Sequence, residues 1–136
     1  MIRWIIEGML AASHRPGHRG ESPISVSADE VSIWIEEVRG LDIASIICLL
    51  HDDQLALYSS IPGGLLDFYR KAGFDVGHVR AFDHQSPALT NEQLDDVWRH
   101  FQRLKKPVLI HCSAGVDRTG LATRHILTLL RHEHSG

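Results

Sequence analysis

Residues Ile43 to Leu50 (IASIICLL) form an isoleucine-rich run in which only Ser45 is polar. A strand with one wet face alternates apolar and polar residues, so a run like this reads as a central strand buried on both faces. Such a strand needs helices above and below it and neighbours at its edges, which commits the chain to a layered α/β architecture. The remaining segments supply the parts. Trp4-Ile5-Ile6 and Met9-Leu10-Ala11 read as short strands turned at Glu7-Gly8. His14 to Pro23 is a loop, by its Pro and Gly content. Ser27 opens a capping box with Glu30, and a helix over 28–39 places Val31, Trp34, Ile35 and Val38 on one face, with Gly40 as its stop.

A second helix is expected from Gly64 to Ala72, stopped by Gly73. From Phe74 to Phe82 the pattern alternates, as a strand does, with Gly77, Val79 and Ala81 on one face. Thr90, with Gln93 three residues on, caps a third helix whose stripe is Leu94, Val97, Trp98, Phe101 and Leu104. Pro107 ends it, Val108-Leu109-Ile110 is another buried strand, and a last helix runs from Thr119 to about Arg131. The expected fold is a single three-layer α/β domain over residues 1–136, with a mostly parallel sheet of about four or five strands flanked by helices.

Composition narrows the function classes. A chain of 136 residues buries roughly two-thirds of its unfolded surface and needs no disulfide or metal staple. A net charge of −3 without a long basic run gives no support for nucleic-acid binding. No apolar stretch approaches the ~20 residues of a membrane helix, and Glu7 and Gly8 interrupt the signal-like opening. A cytoplasmic protein is expected. Its two cysteines, Cys48 and Cys112, do not make a disulfide framework. His14 and His18 are separated by Pro16 and Gly17, which argues against a helical ligand pair, so neither metal nor cofactor is expected.

In open parallel sheets ligands bind beyond the carboxyl ends of the strands. After Ile110 come His111-Cys112-Ser113-Ala114-Gly115-Val116-Asp117-Arg118-Thr119-Gly120. A short loop between a strand and a helix start can turn its N–H groups inward, and that nest binds a phosphate dianion. Ser113, Ala114, Gly115, Val116, Asp117 and Arg118 are the expected phosphate binders, and Gly115 permits the positive φ that tight curvature needs. The positive field of the loop favours the thiolate form of Cys112. Arg118 can grip two phosphate oxygens with its planar fork. Thr119 can donate a hydroxyl hydrogen bond to the sulfur.

The stretch HCSAGVDRTG resembles the active-site signature of the cysteine-dependent protein tyrosine phosphatase superfamily, H-C-x5-R-[ST]. The opening WIIEGMLAASHRP is similar to the first hairpin of its small dual-specificity members. The resemblance implies a dual-specificity-phosphatase-like fold and a hydrolase of phosphorylated proteins or small phosphoesters. It implies Cys112 as nucleophile and, on the loop Asp83-His84-Gln85-Ser86-Pro87, Asp83 as general acid. No cofactor is implied. Some relatives protect an oxidised nucleophile by a disulfide to a strand cysteine, whereas Cys48 is expected to be core. Asp117 before the arginine is similar to the myotubularin lipid phosphatases, but the loop lacks the lysine that phosphoinositide-selective relatives carry. Asp117 is expected to accept hydrogen bonds from the loop or helix start rather than to act as a second acid.

Alternatives remain open at this point: a phosphoinositide or other non-protein phosphatase, a catalytically silent phosphate-binding module, and a rhodanese-like sulfurtransferase. The four potentially cationic side chains His14, Arg15, His18 and Arg19 would attract phosphorylated substrates if their loop lay near the mouth.

Overall fold

The computed structural model describes residues 2–19 and 24–135, so residues 20–23 of the loop expected over 14–23 lie outside the described residues. In chain order the elements are β1 (Arg3–Ile6), β2 (Leu10–Ser13), α1 (Ala28–Gly40), β3 (Ser45–Leu50), α2 (Asp52–Leu55), a 3₁₀ turn (Ala56–Tyr58), α3 (Gly64–Lys71), β4 (Asp75–Ala81), α4 (Asn91–Arg103), β5 (Val108–His111) and α5 (Asp117–Ser135). The strands form one sheet in the order β1-β2-β5-β3-β4. The β1–β2 hairpin is antiparallel, and every other pairing is parallel.

The isoleucine-rich run becomes an interior strand with all six residues buried. Its side chains alternate between two cores. Ile46, Cys48 and Leu50 pack with Val31, Trp34, Leu65 and Tyr69 of α1 and α3. Ile47 and Leu49 pack with Val97, Phe101, Ala122 and Ile126 of α4 and α5. Each buried aliphatic side chain contributes about 1.5–3 kcal/mol, so helices on both faces are what this strand demands.

Helix ends differ in detail from the sequence reading. Thr90 and Gln93 form the complete reciprocal box at α4. Ser27 accepts from Glu30 N at α1, but the return bond is missing because the Glu30 carboxylate binds Arg19 instead. Gly40 is the last helical residue rather than the stop, and Asp42 takes the left-handed turn at φ 58°. Aspartate tolerates that conformation through local hydrogen bonding. The short helical turns over 52–58 lack an apolar period and were not foreseen. Helix α5 begins at Asp117, two residues before the expected start, so Arg118 sits in the first helical turn rather than in the loop. An acidic residue there is compatible with the positive end of the helix dipole.

The parallel register sets where chemistry can occur. Ser13 lies opposite His111, and His111 opposite Cys48, so the carboxyl ends of β2, β5 and β3 open at one edge. No described helix is long and apolar enough to cross a membrane.

Candidate active site

Strand β5 delivers His111 and Cys112 to that edge, and residues 113–116 curl before α5 starts. Cys112 is buried, with its side chain packed in the α4–α5 core. Cys48 lies in the opposite core, and burial pushes its thiol up to about 12. Both cysteines are free thiols.

The backbone N–H groups of Ser113 to Arg118 donate to no acceptor among the described residues. Six consecutive donors left open on one turn make an anion nest. Gly115 takes φ 77°, and a Cβ there would lie 2.6 Å from the Ser13 carbonyl, so both the turn and the packing require glycine.

Arg118 is almost wholly buried. Its Nη1 donates to the carbonyls of Leu49 (3.1 Å) and Ala81 (2.7 Å), at the ends of β3 and β4. These bonds clamp one edge of the guanidinium. The Nε and Nη2 donors have no hydrogen bond, and together they form a planar fork of the kind that can hold two oxygens of a phosphate. Asp83 Oδ1 lies 3.5 Å from Nη2, a charge contact beyond good hydrogen-bond length. Asp83 therefore sits beside the unbonded edge of Arg118. Gln54 Nε2 donates to its Oδ2 at 3.1 Å and the His84 N–H to its Oδ1 at 3.0 Å.

The structure thus brings Cys112, Ser113 to Asp117, Arg118 and Asp83 to one edge. Two expected contacts are not formed. The Thr119 hydroxyl is buried without a hydrogen-bond partner, so it does not donate to Cys112. The Asp117 side chain is exposed in the first turn of α5 and makes no hydrogen bond among the described residues.

The basic loop after β2 packs directly against the site. Arg15 N donates to Ser113 O at 2.9 Å, and Arg15 Nε donates to Ser113 Oγ at 3.3 Å. Arg3 Nη2 donates to Gly115 O at 2.8 Å. Behind the thiol, His111 Nδ1 lies 3.1 Å from Cys112 O and Nε2 lies 2.9 Å from Tyr69 Oη. A carbonyl can only accept, so Nδ1 carries the proton and Nε2 accepts from the tyrosine hydroxyl. Burial holds His111 down at about 3, which keeps the ring neutral, and raises Tyr69 well above its usual value. The sequence reading missed Arg3, Gln54 and Tyr69, because nothing in their local pattern separates them from surface or core residues. No group of three or more His, Cys, Asp or Glu among the described residues could hold a metal ion.

A sequence model of the tyrosine phosphatase family matches residues 63–135, more than half of the chain. Among solved structures, Tk-PTP in its active form has a TM-score of 0.64 and 26% identity, over 94% of this chain and 73% of that one. Kinase associated phosphatase (KAP), with its catalytic-site cysteine replaced by serine, has a TM-score of 0.65 at 20% identity, over 89% of this chain and 65% of that one. The second likeness shows the fold alone. No curated protein sequence matches the chain.

Proposed function

The chain belongs to the tyrosine phosphatase family, and we propose that it is a phosphoric monoester hydrolase of the protein tyrosine/dual-specificity phosphatase type, acting through a cysteinyl-phosphate. The observation that carries this reading is the pair of open donor sets beside one buried thiol: six backbone N–H groups and the Nε–Nη2 edge of Arg118. Donors preorganised in this way stabilise charge on the three equatorial oxygens of a phosphoryl group in transfer.

In the first step the Cys112 thiolate attacks phosphorus and the bond to the leaving oxygen breaks. Asp83 supplies the proton that leaving oxygen needs. In the second step water attacks the phosphocysteine, Asp83 takes a proton from that water, and the S–P bond breaks to return the thiolate. The Thr119 hydroxyl, buried without a partner in this structure, is available to donate to the departing sulfur. Ser113 to Asp117 hold the phosphate through their N–H groups.

Two exposed apolar side chains adjoin this machinery in sequence: Phe82 next to Asp83, stacked on His51 at 3.7 Å between ring centroids, and Val116 next to Asp117. They offer a surface for the organic part of a phosphoprotein or small phosphoester. The chemistry needs Cys112 as a free thiol, which fits a reducing compartment such as the cytoplasm.

Hydrolysis of p-nitrophenyl phosphate without added metal, by wild type and by Cys112→Ser, tests the proposal. Wild-type turnover that vanishes in the variant is the expected result. Equal rates in the two proteins would exclude cysteine chemistry.

A further inference from the structure

Arg15, outside the reacting groups, is a buried cation. It is 2% exposed. Its Nε donates to Ser113 Oγ, and its Nη1 donates to Tyr58 Oη at 3.2 Å. Tyr58 in turn donates to Pro16 O at 2.6 Å, which leaves its oxygen free to accept from the guanidinium. Burial pushes the Tyr58 hydroxyl up to about 12, so the phenol is neutral and does not balance the arginine. No carboxylate among the described residues lies within ion-pair distance of Arg15. Glu30 is taken by Arg19, and Asp83 stands against Arg118.

A buried guanidinium without a counterion is strongly unfavourable. It persists where the surrounding structure over-determines it or where an anion arrives to match it. Here both conditions point to the same place. The main chain of Arg15 is tied to Ser113 O, and its side chain to Ser113 Oγ, so one residue holds Ser113 at two points. Ser113 follows the thiol and opens the anion nest. The field of Arg15 also reaches the residue before the thiol, where it is among the smaller causes that lower His111.

We propose that Arg15 is a positioning residue of the phosphate loop: it fixes Ser113 from behind and supplies a buried positive charge whose counterion is the Cys112 thiolate or the bound phosphate. This rests on the phosphate-site reading above. It assigns a role to the loop after β2 other than attraction of substrates from solution, since Arg15 does not face solvent.

The test uses the whole chain with two substitutions. Arg15→Met keeps an unbranched flexible stem and removes charge and donors, and Arg15→Lys keeps the charge and loses the fork. Two readouts need no turnover: the rate of Cys112 alkylation by neutral iodoacetamide at pH 6.5, and the affinity for inorganic phosphate. A nearby charge typically changes such equilibria by about tenfold or more, so Arg15→Met is expected to lose about tenfold in both. Arg15→Lys is expected to keep both and to lose kcat several-fold on p-nitrophenyl phosphate, as Ser113 shifts. Wild-type values of both readouts in a folded Arg15→Met protein would overturn the proposal. If Arg15→Met does not fold, Arg15→Lys decides: retained phosphate affinity with reduced kcat supports the assignment, and any other combination overturns it. A chain that alkylates and binds phosphate as expected but hydrolyses nothing would refute the catalytic reading and leave the electrostatic role of Arg15 standing.

Discussion

The two loops that meet at the site are held in opposite ways. The phosphate loop is braced from within. Arg15, Arg3 and the Ser13 main chain press on its outer side, and the neutral His111–Tyr69 pair lies behind the thiol. The acid loop after β4 lies at the surface. Phe82 and His84 are exposed, His84 adopts φ 58°, and Asp83 keeps about a quarter of its side chain in solvent. Its ties to the rest of the molecule include the Gln54 bond, the Arg118 contact and the Phe82–His51 stack. On the proposed mechanism this difference meets two demands of one reaction. The loop that binds a dianion gains most from preorganised, dry donors. The loop that moves a proton must exchange with water in the second step, and exposure serves that.

The sharpest way to break the comparison is at Gly115. Replacement by alanine combines a positive φ with a Cβ 2.6 Å from backbone atoms of Ser13, and main chain cannot yield as a flexible side chain can. The expected cost is about 3–5 kcal/mol of stability, read as a lowered urea midpoint, together with loss of turnover. A Gly115→Ala protein of wild-type stability would show that the phosphate loop is not tightly braced.

Next in size is the acid loop. Asp83→Asn should leave the urea midpoint nearly unchanged and lower kcat on an alkyl phosphate by roughly 100-fold or more, the usual weight of a general acid. Asp117→Asn should cost far less, because that carboxylate is exposed and unbonded. The reverse order of the two variants would assign the proton transfer to the helix start.

A third effect concerns acid stability. Buried His111 titrates at about 3 in the folded chain and at its ordinary 6.5 when unfolded. The unfolded state therefore binds the extra proton first. Stability contributed by the neutral ring is complete above pH 6.5 and is lost as pH falls toward 3, at up to about 1.4 kcal/mol per pH unit. Denaturant melts from pH 7 to 4 should show this slope in the wild type and a shallower one in His111→Gln. Identical slopes would mean that His111 does not couple the phosphate loop to the fold.

Much of the fold was legible from pattern alone. The alternation of apolar runs located all five strands, and the four longer helices followed from their stripes and caps, with Thr90 and Gln93 the clearest case. The short turns over 52–58 were not legible, because four-residue helices have no period to read. The start of α5 was misplaced by two residues because a polar loop and a polar first turn look alike in sequence. At the site, HCSAGVDRTG marked the thiol and the arginine, since that chemistry needs particular residue types at a fixed spacing. The roles of Arg3, Arg15, Gln54 and Tyr69 depend on contacts between segments far apart in the chain, and no local pattern encodes those.

The sequence by itself determined the layered α/β class, the strand–loop–helix turn that carries Cys112 and Arg118, and a glycine at 115 that permits tight curvature. These follow from residue types and short spacings, which act through local backbone geometry and hydrophobic burial. Only the tertiary structure decided that Asp83 stands beside Arg118, that Arg15 of the loop after β2 faces inward onto Ser113, and that burial holds His111 neutral against Tyr69. Those outcomes depend on the parallel register of β2, β5 and β3, which brings their carboxyl ends together and lets side chains from distant segments share one desolvated space.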